Sequence, residues 1–222
     1  MVDTVRNLAR VKRMKKLTLT AILFWSFTAS PFAASLLVNP GFEDPITYDG
    51  APFVGSWEGF SGGGASSSNS TLFPHTGAQS LGLSIASTIN TFAGAFQDVP
   101  GLVSGTEYSL SGWHATTSNP LNLGVEIRIE WRNSLSNSEV SRTQNYAPVP
   151  LAAYSLFSMT GLIPAGADTA RVVYAVQSFS TNPLGNGDVF VDDASFVVPE
   201  PSTMALFGLG ALALMAARRQ RI

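Results

Sequence analysis

Cysteine is absent from all 222 residues, which removes disulfides, thiol catalysis and cysteine-ligated metal sites from consideration. Lysine is confined to the first 16 residues, at Lys12, Lys15 and Lys16. Between residues 36 and 198 the only basic side chains are Arg128, Arg132, Arg142 and Arg171; against 13 acids they leave that stretch at −9. So little positive charge argues against nucleic acid as a partner, because neutralising phosphates needs a basic surface. A long amphipathic helix is missing as well: no segment of this stretch keeps an apolar helical period over three turns. Its 163 residues suffice for one domain with a sizeable core, and not for a second.

What is present is concentrated at the two ends. Arg6, Arg10, Lys12, Arg13, Lys15 and Lys16 precede an apolar run over residues 17–27. Ala33-Ala34-Ser35 then places small side chains at the −3 and −1 positions of a cut before Leu36. Residues 1–35 therefore read as a secretory signal peptide, with Met14 as an alternative start, and the apolar run is short for a retained anchor. At the other end, Pro199-Glu200-Pro201 holds the chain extended. Residues 202–217 follow without a charge, and Arg218, Arg219 and Arg221 come last. As a helix, 16 residues span about 24 Å. The hydrocarbon core of a bilayer is about 30 Å thick, a shortfall that arginine snorkelling and membrane thinning can absorb. Positive charge after the span predicts a cytoplasmic C-terminus, with the middle of the chain on the outer side. A buried core helix would show a polar face, which residues 204–217 lack.

These three parts, in this order, resemble the PEP-CTERM tail of proteins exported by Gram-negative bacteria. The resemblance implies cutting near Pro199-Glu200-Pro201 by an exosortase, a membrane cysteine transpeptidase. It further implies an inner-membrane-anchored intermediate that is released to the cell surface or extracellular matrix.

The middle, residues 36–198, is rich in Ser, Thr, Gly, Asn and Val. Residues 125–132 alternate most clearly, with Val125, Ile127, Ile129 and Trp131 on one face and Glu126, Arg128, Glu130 and Arg132 on the other. Further strands are expected over 79–85, 107–115, 154–160, 171–177 and 189–197, separated by Gly-, Pro- and Asn-rich breaks, with a Gly/Ser loop over 61–71. This punctuation predicts an all-β antiparallel sandwich, flanked by the signal helix and the tail helix. Asn39-Pro40-Gly41-Phe42-Glu43 opens the stretch, Pro74-His75-Thr76-Gly77 and Gly105 to Trp113 lie within it, and Val189 to Phe196 closes it. That ordered set resembles the galactose-binding-like jelly roll of carbohydrate-binding modules. The resemblance implies a structural calcium ion held by Glu43 with Asp192 or Asp193, and its oxygen donors suit that hard cation.

Sugar binding needs flat aromatic faces with polar groups at the rim. Trp113 shares a strand face with Ser109 and Ser111, opposite Tyr108 and Leu110, so it is the expected platform; Trp57 is the second candidate and Trp131 belongs to the core. Tyr48, Tyr108 and Tyr146 stand behind them. No catalytic residues are assigned. Glu126 and Glu130 stand about 13 Å apart on a strand. Glycosidase carboxylates sit about 5–9.5 Å apart. Alternation with Arg128 and Arg132 reads instead as a solvated charge ladder. Neither His75 nor His114 has a catalytic or metal-binding constellation around it. The expected protein is exported and non-catalytic, binding glycan in an exopolysaccharide or biofilm setting. A structural or adhesive surface protein without a sugar ligand, and a secreted glycan-active enzyme, are the alternatives.

Overall fold

The computed structural model describes residues 34–118, 121–179 and 185–199. Most of the expected signal peptide, Glu200, Pro201, the expected 202–217 span and Arg218, Arg219 and Arg221 lie outside the described residues. Ten strands form two antiparallel five-stranded sheets, and no helix occurs among the described residues. One sheet contains β1 (Glu58–Ser61), β4 (Phe92–Pro100), β9 (Thr169–Gln177), β6 (Gly124–Asn133) and β7 (Ser138–Arg142), in that spatial order. The other runs β2 (Ala65–Ser70), β3 (Ser80–Ile85), β10 (Gly187–Val197), β5 (Glu107–Thr116) and β8 (Ser155–Leu162).

Alternation decides which side chains enter the space between the sheets. Val125, Ile127, Ile129 and Trp131 of β6 point inward and are all buried, opposite Leu81, Leu83 and Ile85 of β3 and Val189, Val191 and Phe196 of β10 in the same core. Tyr108 stacks on Phe196 with ring centroids 5.3 Å apart. Burying a large apolar side chain contributes about 1.5–3 kcal/mol, so this layer supplies most of the drive to fold in a chain without disulfides.

Two expectations change. The expected Gly/Ser loop over 61–71 contains β2, whose serine-rich sequence has poor strand propensity. It is held by six registered pairs with β3, from Ala65 opposite Ile85 to Ser70 opposite Ser80. The ladder of β6 is also far from solvated: Glu130 is 5% exposed, and Arg128 pairs with both Glu126 and Glu130.

The chain ends of the domain meet. Leu36 N donates to Phe196 O (2.8 Å), Phe196 N donates to Ser35 Oγ (3.2 Å), and Ala194 N donates to Pro40 O (2.8 Å). The incoming segment thus lies beside the half of β10 that β3 does not reach, since β3 pairs only with residues 187–191.

Inside the sandwich, His114 is 1% exposed, with Nδ1 2.8 Å from the Tyr174 hydroxyl. Burial lowers its pKa from 6.5 to about 4, so it is neutral in the folded protein at pH 7. The unfolded chain binds a proton there between pH 6.5 and about 4 while the folded one does not, so stability falls as pH falls through that window. Thermal unfolding of the native protein should show this decline, and His114→Gln should flatten it. An equal slope in both proteins would exclude His114 as its source.

Candidate functional site

The opening motif is first a structural staple. Asn39 adopts positive φ (51°), and its carboxamide closes a ring with Asp44, accepting from Asp44 N (3.0 Å) and donating to Asp44 O (2.8 Å). Trp57 donates its indole N–H to Asn39 O (3.0 Å) and packs on Phe42 at 4.8 Å. At 4% exposure, Trp57 is core and offers no face to a sugar, which corrects the sequence expectation. Its position in an irregular segment gave no alternation from which this could be read.

Glu43, Asp192 and Asp193 all turn toward the loop over residues 75–79. Glu43 Oε1 accepts from Ala78 N (2.8 Å) and Gln79 N (3.2 Å), and fits only because Gly77 has no Cβ, which would stand 1.9 Å away. Asp192 Oδ2 accepts from His75 N (2.8 Å) and Thr76 N (3.2 Å), while Asp193 Oδ1 accepts from the Thr76 hydroxyl (2.6 Å). Asp193 Oδ2 lies 2.6 Å from His75 Nδ1. Burial raises the Asp192 pKa, against the lowering effect of the backbone donors. The donor chemistry suits a hard cation, since these are carboxylates with no Lys or Arg among their hydrogen-bond partners. As they stand, the carboxylates are committed to hydrogen bonds: among the described residues, no group of three or more His, Asp or Glu gathers closely enough to hold a metal ion.

Trp113 lies on the outer face of its sheet, as its alternation predicts, but it is only half-exposed. His75 stacks on its ring at 4.6 Å and 21°, and Tyr154 packs against His75 with ring centroids 4.7 Å apart. One face of the expected platform is therefore covered by a residue 38 positions away in sequence. Phe73 extends the cluster from Tyr154 (5.5 Å) to Phe190 (5.6 Å).

The opposite outer face, on β4, β9, β6 and β7, collects every arginine of residues 36–198. Registered pairing sets Asp98 beside Arg171, Arg171 beside Glu130, and Glu130 beside Arg142, giving a row of alternating charge across four strands. Arg171 grips Asp98 through two hydrogen bonds (2.7 and 2.9 Å) and packs on the rings of Phe96 (4.2 Å) and Phe53 (4.8 Å). Arg142 likewise binds both oxygens of Glu139 at 2.6 Å, which lowers the Glu139 pKa. A groove of about 300 Å³ crosses the end of this row. Phe53 and Val54 form one wall, the turn at Asn133, Ser134 and Asn137 forms the other, and Asp98, Arg132 and Thr169 lie between. Most polar groups here already serve the protein: Ser134 is bound to Asp168, and Asn133 to residues 135, 136 and 166. Arg132 differs. It reaches Asn137 O (2.9 Å) and, more distantly, Glu130 (3.4 Å), while its Nε–H is buried without a partner. Sequence reasoning passed over this site because Phe53 and Arg132 are 79 residues apart and the alternation marked Arg132 only as one rung of a ladder.

Among the described residues no helix is long and apolar enough to cross a membrane. Residues 197–220 match the PEP-CTERM protein-sorting motif. The chain therefore carries an exosortase-type sorting signal, the mark of an exported protein with a membrane-anchored intermediate. No curated protein matches its sequence. The fold is shared with solved jelly-roll domains. The enzymatically active domain of bacteriophage CBA120 tailspike protein 4 superimposes with a TM-score of 0.56 at 13% identity. That match covers 74% of this chain and 21% of the other, so this chain spans about a fifth of the tailspike's length. The CBM22-1 xylan-binding domain of Paenibacillus barcinonensis Xyn10C gives 0.51 at 14% identity, over 78% of this chain and all of that one. TmCBM61, solved with β-1,4-galactotriose, gives 0.50 at 14% identity, over 75% and 100%. The domain thus has an all-β jelly-roll sandwich fold.

Proposed function

We propose that the protein is an exosortase-processed surface or matrix component whose sandwich binds glycan without catalysis. The reading is carried by the groove beside Phe53. It has an aromatic wall, a polar floor, and a volume at the lower end of about 300–1,000 Å³ typical of ligand sites. Arg132 lines it, and its terminal N–H groups can donate to a sugar hydroxyl or ring oxygen, whereas its buried Nε–H lies out of a ligand's reach. The ligands of two structural neighbours, xylan and β-1,4-galactotriose, make these glycans the first panel to try. Hydrolysis is not part of the reading: Glu126 and Glu130 are both paired with Arg128, so this carboxylate pair has no free acid and base. A structural or adhesive role without a sugar ligand is the second reading, favoured by the burial of Trp57 and the covering of Trp113 by His75.

Retention on immobilised xylan, galactan and mixed β-glucans separates the two. Phe53→Ala with Arg132→Met should weaken retention about tenfold, equivalent to roughly 1.4 kcal/mol. A well-folded native protein retained by no glycan of a broad panel would leave the structural reading.

Calcium is proposed as a structural ion held by Glu43 with Asp192 or Asp193, whose carboxylates would exchange hydrogen bonds with residues 75–79 for the ion. It would offset the mutual repulsion of three carboxylates drawn to one loop. Its addition should raise the melting temperature and chelation should lower it, with the response lost in Glu43→Gln. A melting curve indifferent to both treatments ends the proposal.

Final release is proposed to follow cutting near Pro199-Glu200-Pro201, with the C-terminus cytoplasmic beforehand. Replacing Glu200 and both prolines by alanine should leave the sandwich folded and trap a membrane-associated species of higher mass. Unchanged mass and location would contradict the sorting role.

A further inference from the structure

The outer face of the sheet β2-β3-β10-β5-β8 holds a second groove, of about 410 Å³. It lies on the opposite side of the sandwich from the Phe53 groove and shares no lining residue with it. Its construction is different. Ser66 and Ser68 of β2, Ser84 of β3, Thr117 after β5 and Asp188 of β10 bring side chains from four parts of the fold to one depression. Among the described residues none of these five side chains has a hydrogen-bond partner, whereas the polar residues around the Phe53 groove are mostly tied to one another. Leu72 stands at the rim, 83% exposed, while Phe190 is buried beneath the floor and packs on Phe73 at 5.6 Å. The floor stays open at Gly82, where an added Cβ would come within 2.9 Å of Ser70 Cβ.

From this geometry we infer that the domain has a second glycan site, and that two sites on opposite faces make it a cross-linker of polysaccharide chains. The inference rests on the glycan-binding reading of the Phe53 groove. Charge selects the class of ligand. The groove has no basic residue and one carboxylate, Asp188, within a domain at −9, so a polyanion is repelled and an uncharged chain is accepted. Unspent hydroxyls that both donate and accept, with the exposed Leu72 at their rim, match the hydroxyl groups of a sugar ring. Two sites facing apart cannot close on one short chain. They join two chains or two distant parts of one, and multivalent attachment then holds a network that single contacts would not.

The test uses the exported protein and latex beads coated with xylan, β-1,4-galactan or dextran. Native protein should both bind beads of at least one coating and agglutinate them. Ser68→Tyr with Ser84→Tyr fills the second groove; Phe53→Ala with Arg132→Met disables the first. Each variant should still bind the beads while its agglutination titre falls at least tenfold, and the two sets combined should abolish binding. Thermal unfolding and light scattering establish that every variant is folded and unaltered in oligomeric state. Full agglutination by the Ser68/Ser84 variant overturns the second site. So does complete loss of binding in the Phe53/Arg132 variant, which would leave one site and preserve the glycan-binding reading. Native protein that binds none of the coatings overturns both readings together.

Discussion

Three carboxylates drawn to one short loop tie the fold together. Glu43 comes from the first turn of the domain, Asp192 and Asp193 from its last strand, and all three accept hydrogen bonds from residues 75–79. These contacts bridge sequence separations of 35 to 117 residues, so they form only when both chain ends have arrived. The loop in turn presents His75 to Trp113, and Phe73 just before it stacks on Tyr154, which fixes the aromatic cluster on that outer face. Without cysteine, polar ties of this kind take the part that covalent cross-links play in many exported domains.

The distribution of charge gives the two faces of the sandwich separate characters. All four arginines lie on one face with Asp98, Glu126, Glu130 and Glu139, so that face is close to neutral and the −9 of the domain resides elsewhere. Neighbouring Val173 and Ala175 on β9 are small and buried, which lets the ladder sink into the sheet surface. In that setting the ion pairs position the Phe53 groove more than they stabilise the fold, because desolvation offsets much of their attraction.

The sandwich was legible where burial is one-sided. Residues 125–132 alternate because one face of β6 enters the core, and Tyr108 and Leu110 against Ser109, Ser111 and Trp113 report β5 in the same way. Strands read poorly where that asymmetry fails. β4 is buried at most positions on both faces, and Gly94 and Ala95 dilute its pattern; β2 is a run of serines whose strand state is imposed by β3. The site was less legible because each functional position depends on distant partners. Nothing local to Trp57 announces its bond to Asn39, and nothing local to Trp113 announces the imidazole laid over it. Arg132 acquires its unpaired Nε–H only from the way neighbouring strands distribute Glu130 among Arg128, Arg132 and Arg142.

The position of β10 bears on how the domain carries mechanical load. The strand runs into Val198 and Pro199, so any pull transmitted through the C-terminal connection enters the domain along its axis. It has β5 along one edge, and β3 followed by the residue 36–40 segment along the other. Lengthwise tension must then shear both ladders at once, since no terminal hairpin is available to peel away bond by bond. A domain held by that strand would resist extraction through many parallel hydrogen bonds, a geometry suited to a tether.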